Sequence, residues 1–158
     1  MSENKLTGNW DKAIKDMSRL NEKLMEAAKL ATIQSAHMIE TALVGHIQKQ
    51  DLGWKGLSEP YKQYKKAKGL STQIWIATST TMQSITTQIR SGGKEAFVGV
   101  LRKGKGGQVL IAAVQEYGSP ARNIPARPLF RPTLAEQQPK IKKHFEAKLQ
   151  KVLSGVGK

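Results

Sequence analysis

The most regular feature of the sequence is a stripe of apolar and small side chains that recurs every three or four positions over residues 9–49. This spacing places the stripe on one face of an α-helix and predicts a single long helix, or a helix with a bend. Asn9 can cap its start, and Gly53 closes it. The stripe consists of Trp10, Ile14, Met17, Leu20, Leu24, Ala28, Ala31, Ser35, Met38 and Ala42.

The predicted helix is too long for one small domain to cover. At a rise of 1.5 Å per residue, it spans roughly 60 Å. We therefore expect part of the helix to project from the domain or to pack on another subunit.

The middle of the chain predicts a β-hairpin. Two β-prone segments, 85–90 and 96–102, are joined by Ser91-Gly92-Gly93-Lys94, whose two glycines favour a tight turn. Residues 103–107 predict a second, flexible and basic turn. The neighbouring segments are predicted as a strand at 74–76, one helical turn at 80–84, and either strand or helix at 109–117.

Two further segments complete the organisation of the chain. Residues 51–73 are rich in glycine and lysine and are predicted to form a basic loop. Their aromatic residues, Trp54, Tyr61 and Tyr64, suit either nucleic-acid binding or anchoring of the loop to the domain. Residues 133–153 predict a closing helix, with a kink or a restart at Pro139.

These elements predict a single α+β domain over residues 1–158. In it, the N-terminal and C-terminal helices pack on a small antiparallel sheet. Its parts are a long helix (9–49), a basic loop (51–73), a sheet region (74–118), a proline- and arginine-rich bridge (119–132) and a C-terminal helix (133–153). We refer to residues 119–132 as the bridge.

The charge is strongly positive and unevenly distributed. The formal net charge is +14, of which residues 1–50 contribute little, so the excess belongs to residues 51–158. This balance indicates an anionic partner, either nucleic acid or an acidic protein surface, although it can also serve solubility alone. No apolar run is long enough to predict a membrane span, and no secretory signal is predicted.

Residue patterns typical of catalysis do not occur in the sequence. His37, His46 and His144 lack the spacing of metal ligands, and the chain contains no cysteine. The stretch around Ser91-Gly92-Gly93-Lys94 differs from a phosphate-binding loop, because Gln88 replaces the first glycine and Glu95 follows the lysine. We therefore expect no enzymatic activity, no cofactor and no metal site.

The most informative segment is the bridge. Pro125, Pro128 and Pro132 each fix φ and bias the preceding residue towards an extended conformation, which makes the segment stiff. The bridge is expected to deliver Leu129 and Phe130 into a core and to start a helix at Pro132.

Arginines on such a stiff backbone are suited to binding carboxylates or phosphates. Arg127, Arg131 and Arg122 are therefore candidate residues of an assembly interface. The alternative is that the arginines satisfy carboxylates or carbonyls within their own chain, such as Glu116 or an exposed helix end.

Two segments of the chain resemble a family of tailed-bacteriophage proteins that complete the tail and join it to the head. These are Gln115-Glu116-Tyr117-Gly118-Ser119 and the stretch Ile124-Pro125-Ala126-Arg127-Pro128-Leu129-Phe130-Arg131-Pro132-Thr133-Leu134. Weaker similarities lie upstream at 54–58 and 78–85, where Gly56 and Ser79 replace a proline and a glycine of the family pattern. The long N-terminal helix and the central hairpin also agree with the family.

The resemblance implies a structural neck protein of the virion, assembled in the host cytoplasm. Such proteins form rings, commonly of six subunits, between the head connector and the tail terminator or tube, around the channel through which DNA passes without sequence-specific binding. One alternative is a tail terminator or another small connector ring. An alternative of another class is a basic nucleic-acid-binding protein. No membrane partner is expected.

Overall fold

The fold is built on a helix of 40 residues that is flanked by a second long helix and a β-hairpin. The computed structural model describes residues 8–76, 80–100 and 107–155. In chain order its elements are α1 (Trp10–Lys49), α2 (Glu59–Ala67), α3 (Thr80–Gln83), β1 (Ile85–Arg90), β2 (Glu95–Val100), α4 (Gln108–Tyr117) and α5 (Phe130–Ser154). The prediction of an α+β fold with long terminal helices and a small antiparallel sheet is confirmed.

Helix α1 begins and ends at defined caps. The side chain of Asn9 accepts a hydrogen bond from the backbone N–H of Lys12 at 3.1 Å, as expected for an N-cap. The helix ends at Gln50, which adopts a left-handed conformation with φ of 54°. The end is thus set by Gln50 and not by Gly53. The side chain of Gln50 also holds the chain beyond it, because it bonds to both the N–H and the carbonyl of Ile74.

The two ends of α1 differ in their surroundings. Its buried residues all lie from Ala31 onwards, whereas residues 8–19 are all exposed. Helix α5 runs antiparallel to α1, since His46 lies against Glu136 while Gln34 lies against His144. The expectation that part of the long helix projects is therefore confirmed for its N-terminal end.

The hairpin forms as predicted. Strands β1 and β2 pair in antiparallel register from Ile85 opposite Val100 to Arg90 opposite Glu95. The turn between them packs against α1, because a Cβ atom at Gly93 would lie 3.3 Å from the Cβ of Lys29. Residues 101 and 102 of the predicted second strand, and residues 103–106 of the predicted basic turn, lie outside the described residues.

Two local predictions are wrong. The predicted loop 51–73 contains helix α2, in which Pro60 occupies the first turn, where a missing N–H is harmless. The predicted strand 74–76 is a turn, in which Trp75 has a φ of 65°. Two partly buried polar contacts maintain that turn: the bond from Gln50 to Ile74, and the bond from Lys65 Nζ to the carbonyl of Ile76. The single helical turn predicted near residue 80 is confirmed as α3.

The C-terminal part of the chain is more helical than predicted. The ambiguous segment 109–117 is helix α4, so among the described residues of the predicted sheet region the strands lie within 85–100. Helix α5 begins at Phe130, before the predicted start, and continues through Pro139 without restarting. Proline cannot donate to the carbonyl four residues earlier, at Ala135, but that residue is exposed and water can replace the bond.

The hydrophobic core lies where the C-terminal half of α1, the hairpin, α4 and the start of α5 meet. It contains Leu43, Ile47, Ile74, Trp75, Ile85, Ala112 and Leu129. Phe130 packs on this cluster and meets Trp75 edge to face, with ring centroids 5.9 Å apart. Within the described ranges, no helix combines the length and the apolar character that a membrane span would need.

Candidate assembly site at the proline–arginine bridge

The bridge is held from inside by two tryptophans. The indole N–H of Trp54 donates to the carbonyl of Pro128 at 2.6 Å, and that of Trp75 donates to the carbonyl of Arg127 at 3.1 Å. The backbone N–H of Arg127 donates to the carbonyl of Gln115 at 2.6 Å. Because the prolines already restrict φ, these bonds leave the bridge little freedom.

Arg127 is buried, with 4% of its surface exposed. Its guanidinium donates to the carbonyl of Lys55 at 2.8 Å, to that of Gly56 at 3.2 Å and to the side-chain oxygen of Gln115 at 3.4 Å. Burial lowers the pKa of Arg127. The interface role expected for Arg127 is therefore corrected: the arginine satisfies carbonyls within its own chain and joins residues 55 and 56 to the bridge.

A second buried cation lies near Arg127. Lys65 Nζ donates to the carbonyls of Gln73 and Ile76, at 3.2 and 2.8 Å. Burial lowers the pKa of Lys65, and the positive charge of Arg127 lowers it further. One of the lysines that suggested nucleic-acid binding thus faces inward and holds the turn around Trp75.

The start of α5 is capped by Glu116, a role that the sequence analysis did not assign. The buried carboxylate accepts hydrogen bonds from the backbone N–H groups of Leu129, Phe130 and Arg131, at 2.6, 3.0 and 3.2 Å. These groups have no partners within the helix, and a negative charge suits the positive end of its dipole. The sequence feature that could have indicated this role is that Glu116 is the one acidic residue in the apolar segment 109–117.

Replacing Glu116 by alanine is expected to lower the free energy of unfolding by about 2–3 kcal/mol, because buried N–H groups lose their acceptor. Glu116→Gln keeps one acceptor oxygen and should fall between the parent and the alanine variant. Glu146→Ala, at an exposed position of the same helix, is the control and should change stability by less than about 0.5 kcal/mol. Urea unfolding monitored by circular dichroism measures all three, and equal midpoints for the two alanine variants would contradict the capping role.

The outer side of α4 and α5 carries an exposed stripe. Ala112 and Glu116 of α4 are buried, so the opposite face of that helix points outward. At the end of this face Tyr117 is 68% exposed, and the guanidinium of Arg131 lies 5.7 Å from the centre of its ring. We call the exposed residues on this side of α4 and α5 the outer stripe. They are Leu110, Ala113, Tyr117, Arg131 and Leu134.

The structure thus separates the three arginines proposed from the sequence. Arg127 is buried, Arg131 is exposed in the outer stripe, and Arg122 is exposed at the end of a short 3-10 turn, Pro120–Arg122. The prolines and the apolar residues of the bridge, which were expected to hold the arginines in place, also differ in exposure. Leu129 is fully buried, Phe130, Pro125 and Pro132 are half-buried, and Pro128 is exposed.

The three histidines form separate contacts. His46 bridges the end of α1 to α5, with Nδ1 2.7 Å from Asp51 and Nε2 3.2 Å from Glu136. The hydrogen bond to His46 lowers the pKa of Asp51, while Lys140 is the main cause of the lowered pKa of Glu136. Across residues 8–76, 80–100 and 107–155, no group of three or more histidines and carboxylates could hold a metal ion.

Comparison with known proteins gives one informative match. No family model matches the sequence, and no solved structure matches it. The uncharacterized protein MJ0331 of the archaeon Methanocaldococcus jannaschii is 30% identical to this chain over 125 residues. The match covers 74% of this chain and 89% of that protein. The chain therefore belongs to the same protein family as MJ0331.

Proposed function

We propose that the protein is a structural, non-enzymatic subunit of the neck of a tailed virus, where it completes the tail and joins it to the head. The observation that carries the proposal is the bridge. Its sequence resembles that of the phage neck proteins, and its internal bonds hold the backbone that presents Arg131 in the outer stripe. A side chain held in place loses little conformational freedom on binding, which favours a contact surface.

The outer stripe supports a role in assembly. It combines large apolar side chains with an aromatic ring and an arginine, residue types that are enriched at protein interfaces. Contiguous apolar surface that one chain leaves exposed commonly marks an interaction site. Three residues of the stripe, Tyr117, Arg131 and Leu134, also lie in the segments that carry the resemblance.

In the proposed neck, copies of the chain form a ring, six in number by analogy with the phage proteins. The ring contacts the head connector on one side and the tail terminator or tube on the other. The positive charge of the chain suits acidic neighbours or the DNA that passes through the channel, without reading its sequence. A tail terminator or another small connector ring remains the alternative position within the virion.

A basic nucleic-acid-binding protein is the second candidate, and helix α2 favours it. Tyr61 and Tyr64 are exposed, with their stacked ring centroids 6.1 Å apart, and the same helix carries the exposed Lys66. Exposed aromatics among lysines suit single-stranded nucleic acid. For each phosphate contact, such binding should lose about 0.9 log units of affinity on duplex DNA, or about 0.7 on single strands, per tenfold rise in salt concentration.

The neck function can be tested in a tailed virus that carries this gene. A nonsense codon at Trp54 is expected to produce DNA-filled heads and finished tails that do not join. Purified protein added to the lysate should restore joined particles, and electron microscopy should locate the protein at the neck. Tails of uncontrolled length would instead identify a tail terminator. Normal infectious particles without the protein would contradict both virion roles, and binding to DNA in their place would support the second candidate.

A further inference from the structure

The N-terminal end of α1 forms an arm that the described part of the chain leaves exposed. We define the arm as residues 10–20. Trp10, Ile14 and Met17 lie on one face of it and are 53%, 64% and 71% exposed. Large apolar side chains aligned on an open helix face are costly to keep in water, which indicates that another surface covers them.

The charges along the arm are segregated from residue 12 onwards, and Asp11, at position e in the first turn of the helix, is the exception. With Ile14 taken as position a of a heptad, every charged residue from 12 to 29 falls at position b, c or f. These residues are Lys12, Lys15, Asp16, Arg19, Glu22, Lys23, Glu26 and Lys29. The a, d, e and g positions from 13 to 28 hold only uncharged residues, namely Ala13, Ile14, Met17, Ser18, Leu20, Asn21, Leu24, Met25, Ala27 and Ala28.

The same stripe continues into the body of the protein. The next two positions of the repeat are Ala31 and Ser35, and both are buried within the chain. The stripe is therefore already a packing surface at its C-terminal end, and the arm extends that surface beyond the part that residues 8–76, 80–100 and 107–155 cover. From residue 13 to residue 28, uncharged residues occupy four of every seven positions, whereas the contact face of a two-stranded coiled coil uses mainly two, a and d. The wider face suits a helix with neighbours on two sides.

Charge balance identifies the occupant. Residues 10–30 carry five basic and four acidic side chains, so most of the net charge of +14 lies elsewhere. Two copies of the chain repel each other through their basic bodies, whereas the arms are nearly neutral. An acidic partner would gain most from the body and little from the arm. The arm is thus the surface at which like copies meet with the least repulsion.

We propose that the arm packs side by side against the arms of other copies of this chain, through its a, d, e and g positions. The proposed arms lie along the ring axis as in a parallel coiled coil, so that their a, d, e and g positions form one shared core. Asn21 then lies at an a position inside the contact, where a polar residue sets the register of the helices. The inference rests on the proposed neck only in naming a ring as the assembly.

Cysteine cross-linking tests the contact directly, because the chain contains no cysteine. Asn21→Cys should form disulfide-linked pairs of chains under mild oxidation, with a yield that rises with protein concentration. Arg19→Cys, at position f, is the matched control and should stay largely unlinked. Equal yields for the two variants, or no linked pairs at any concentration reached, would overturn the proposal.

A second pair of variants separates association from folding. Ile14→Gln with Met17→Gln removes the apolar face of the arm without changing its charge. Because these side chains are exposed within one chain, urea unfolding at concentrations where the parent is monomeric should be unchanged. At higher concentrations, sedimentation should show loss of the oligomers that the parent forms. Lys15→Gln with Arg19→Gln is the control, because it changes only the charged side of the arm, and this variant should still form the oligomers. Retention of those oligomers by Ile14→Gln with Met17→Gln would overturn the proposal.

The outcomes also separate this inference from the neck function. If the Ile14→Gln, Met17→Gln protein joins heads to tails as well as the parent does, the arm contact is wrong and the neck assignment stands. If Asn21→Cys cross-links as expected but virions assemble without the protein, the arm contact stands and the neck assignment is wrong.

Discussion

Replacing Gly118 by alanine is expected to lower the free energy of unfolding by about 3–5 kcal/mol, the sum of backbone strain and a steric clash. Gly118 joins α4 to the bridge with φ of 77° and ψ of 179°, a conformation that only glycine adopts readily. A Cβ atom there would lie 2.8 Å from the backbone nitrogen of Ala126 and 2.9 Å from the carbonyl oxygen of Ile124. Those atoms belong to the bridge and cannot retreat without disturbing the bonds made by Trp54 and Trp75.

Gly56→Ala is the matched control. A Cβ atom at Gly56 would meet nothing within 4 Å. This variant should change stability by less than about 0.5 kcal/mol, or raise it slightly by restricting the unfolded chain. Urea unfolding of both variants and the parent measures the difference. Similar midpoints for Gly118→Ala and Gly56→Ala would show that the bridge is less constrained than its geometry indicates.

The elements that local sequence determines were predicted correctly. The stripe of α1 follows from the helical spacing of its apolar residues, and the hairpin follows from two β-prone segments joined by glycines. Both signals lie within a short stretch of sequence and do not depend on distant residues. Helix α2 was missed because the glycines around it and Pro60 outweighed its helical spacing. The turn at Trp75 was missed for another reason: its positive φ depends on Gln50 and Lys65, which lie elsewhere in the chain.

The roles of the bridge residues could be predicted only in part. The stiffness of the bridge and the burial of Leu129 follow from its prolines and its apolar pair. The cap at Glu116 could not be predicted, since it requires α4 to place a carboxylate under the start of α5. The sequence likewise gives no reason to distinguish Arg127 from Arg131. Both arginines precede a proline within the bridge, and only the packing of the chain turns Arg127 inward and Arg131 outward.

That difference between the arginines is the basis of the second large effect. Arg127→Ala is expected to lower the free energy of unfolding by about 2–4 kcal/mol, because the carbonyls of Lys55 and Gly56 and the side chain of Gln115 lose their donor. Arg127→Lys should recover only part of the loss, since an ammonium group cannot reproduce the planar fork that reaches all three acceptors.

Arg131→Ala is the matched comparison, four residues away and on the exposed side of the bridge. Its guanidinium contacts only an exposed ring at Tyr117 among the contacts described, a geometry worth about 0.5–1 kcal/mol. Thermal and urea unfolding should therefore barely distinguish Arg131→Ala from the parent, while Arg127→Ala melts well below it. In the proposed joining of heads to tails, we expect the Arg131→Ala protein to assemble poorly although it is folded. It has lost a contact with its neighbours and has kept its own structure. If the Arg131→Ala protein joins heads to tails normally, Arg131 has no role at the proposed interface. If the melting curve of Arg127→Ala matches that of the parent, the structural role of Arg127 is wrong and an interface role for it is open again.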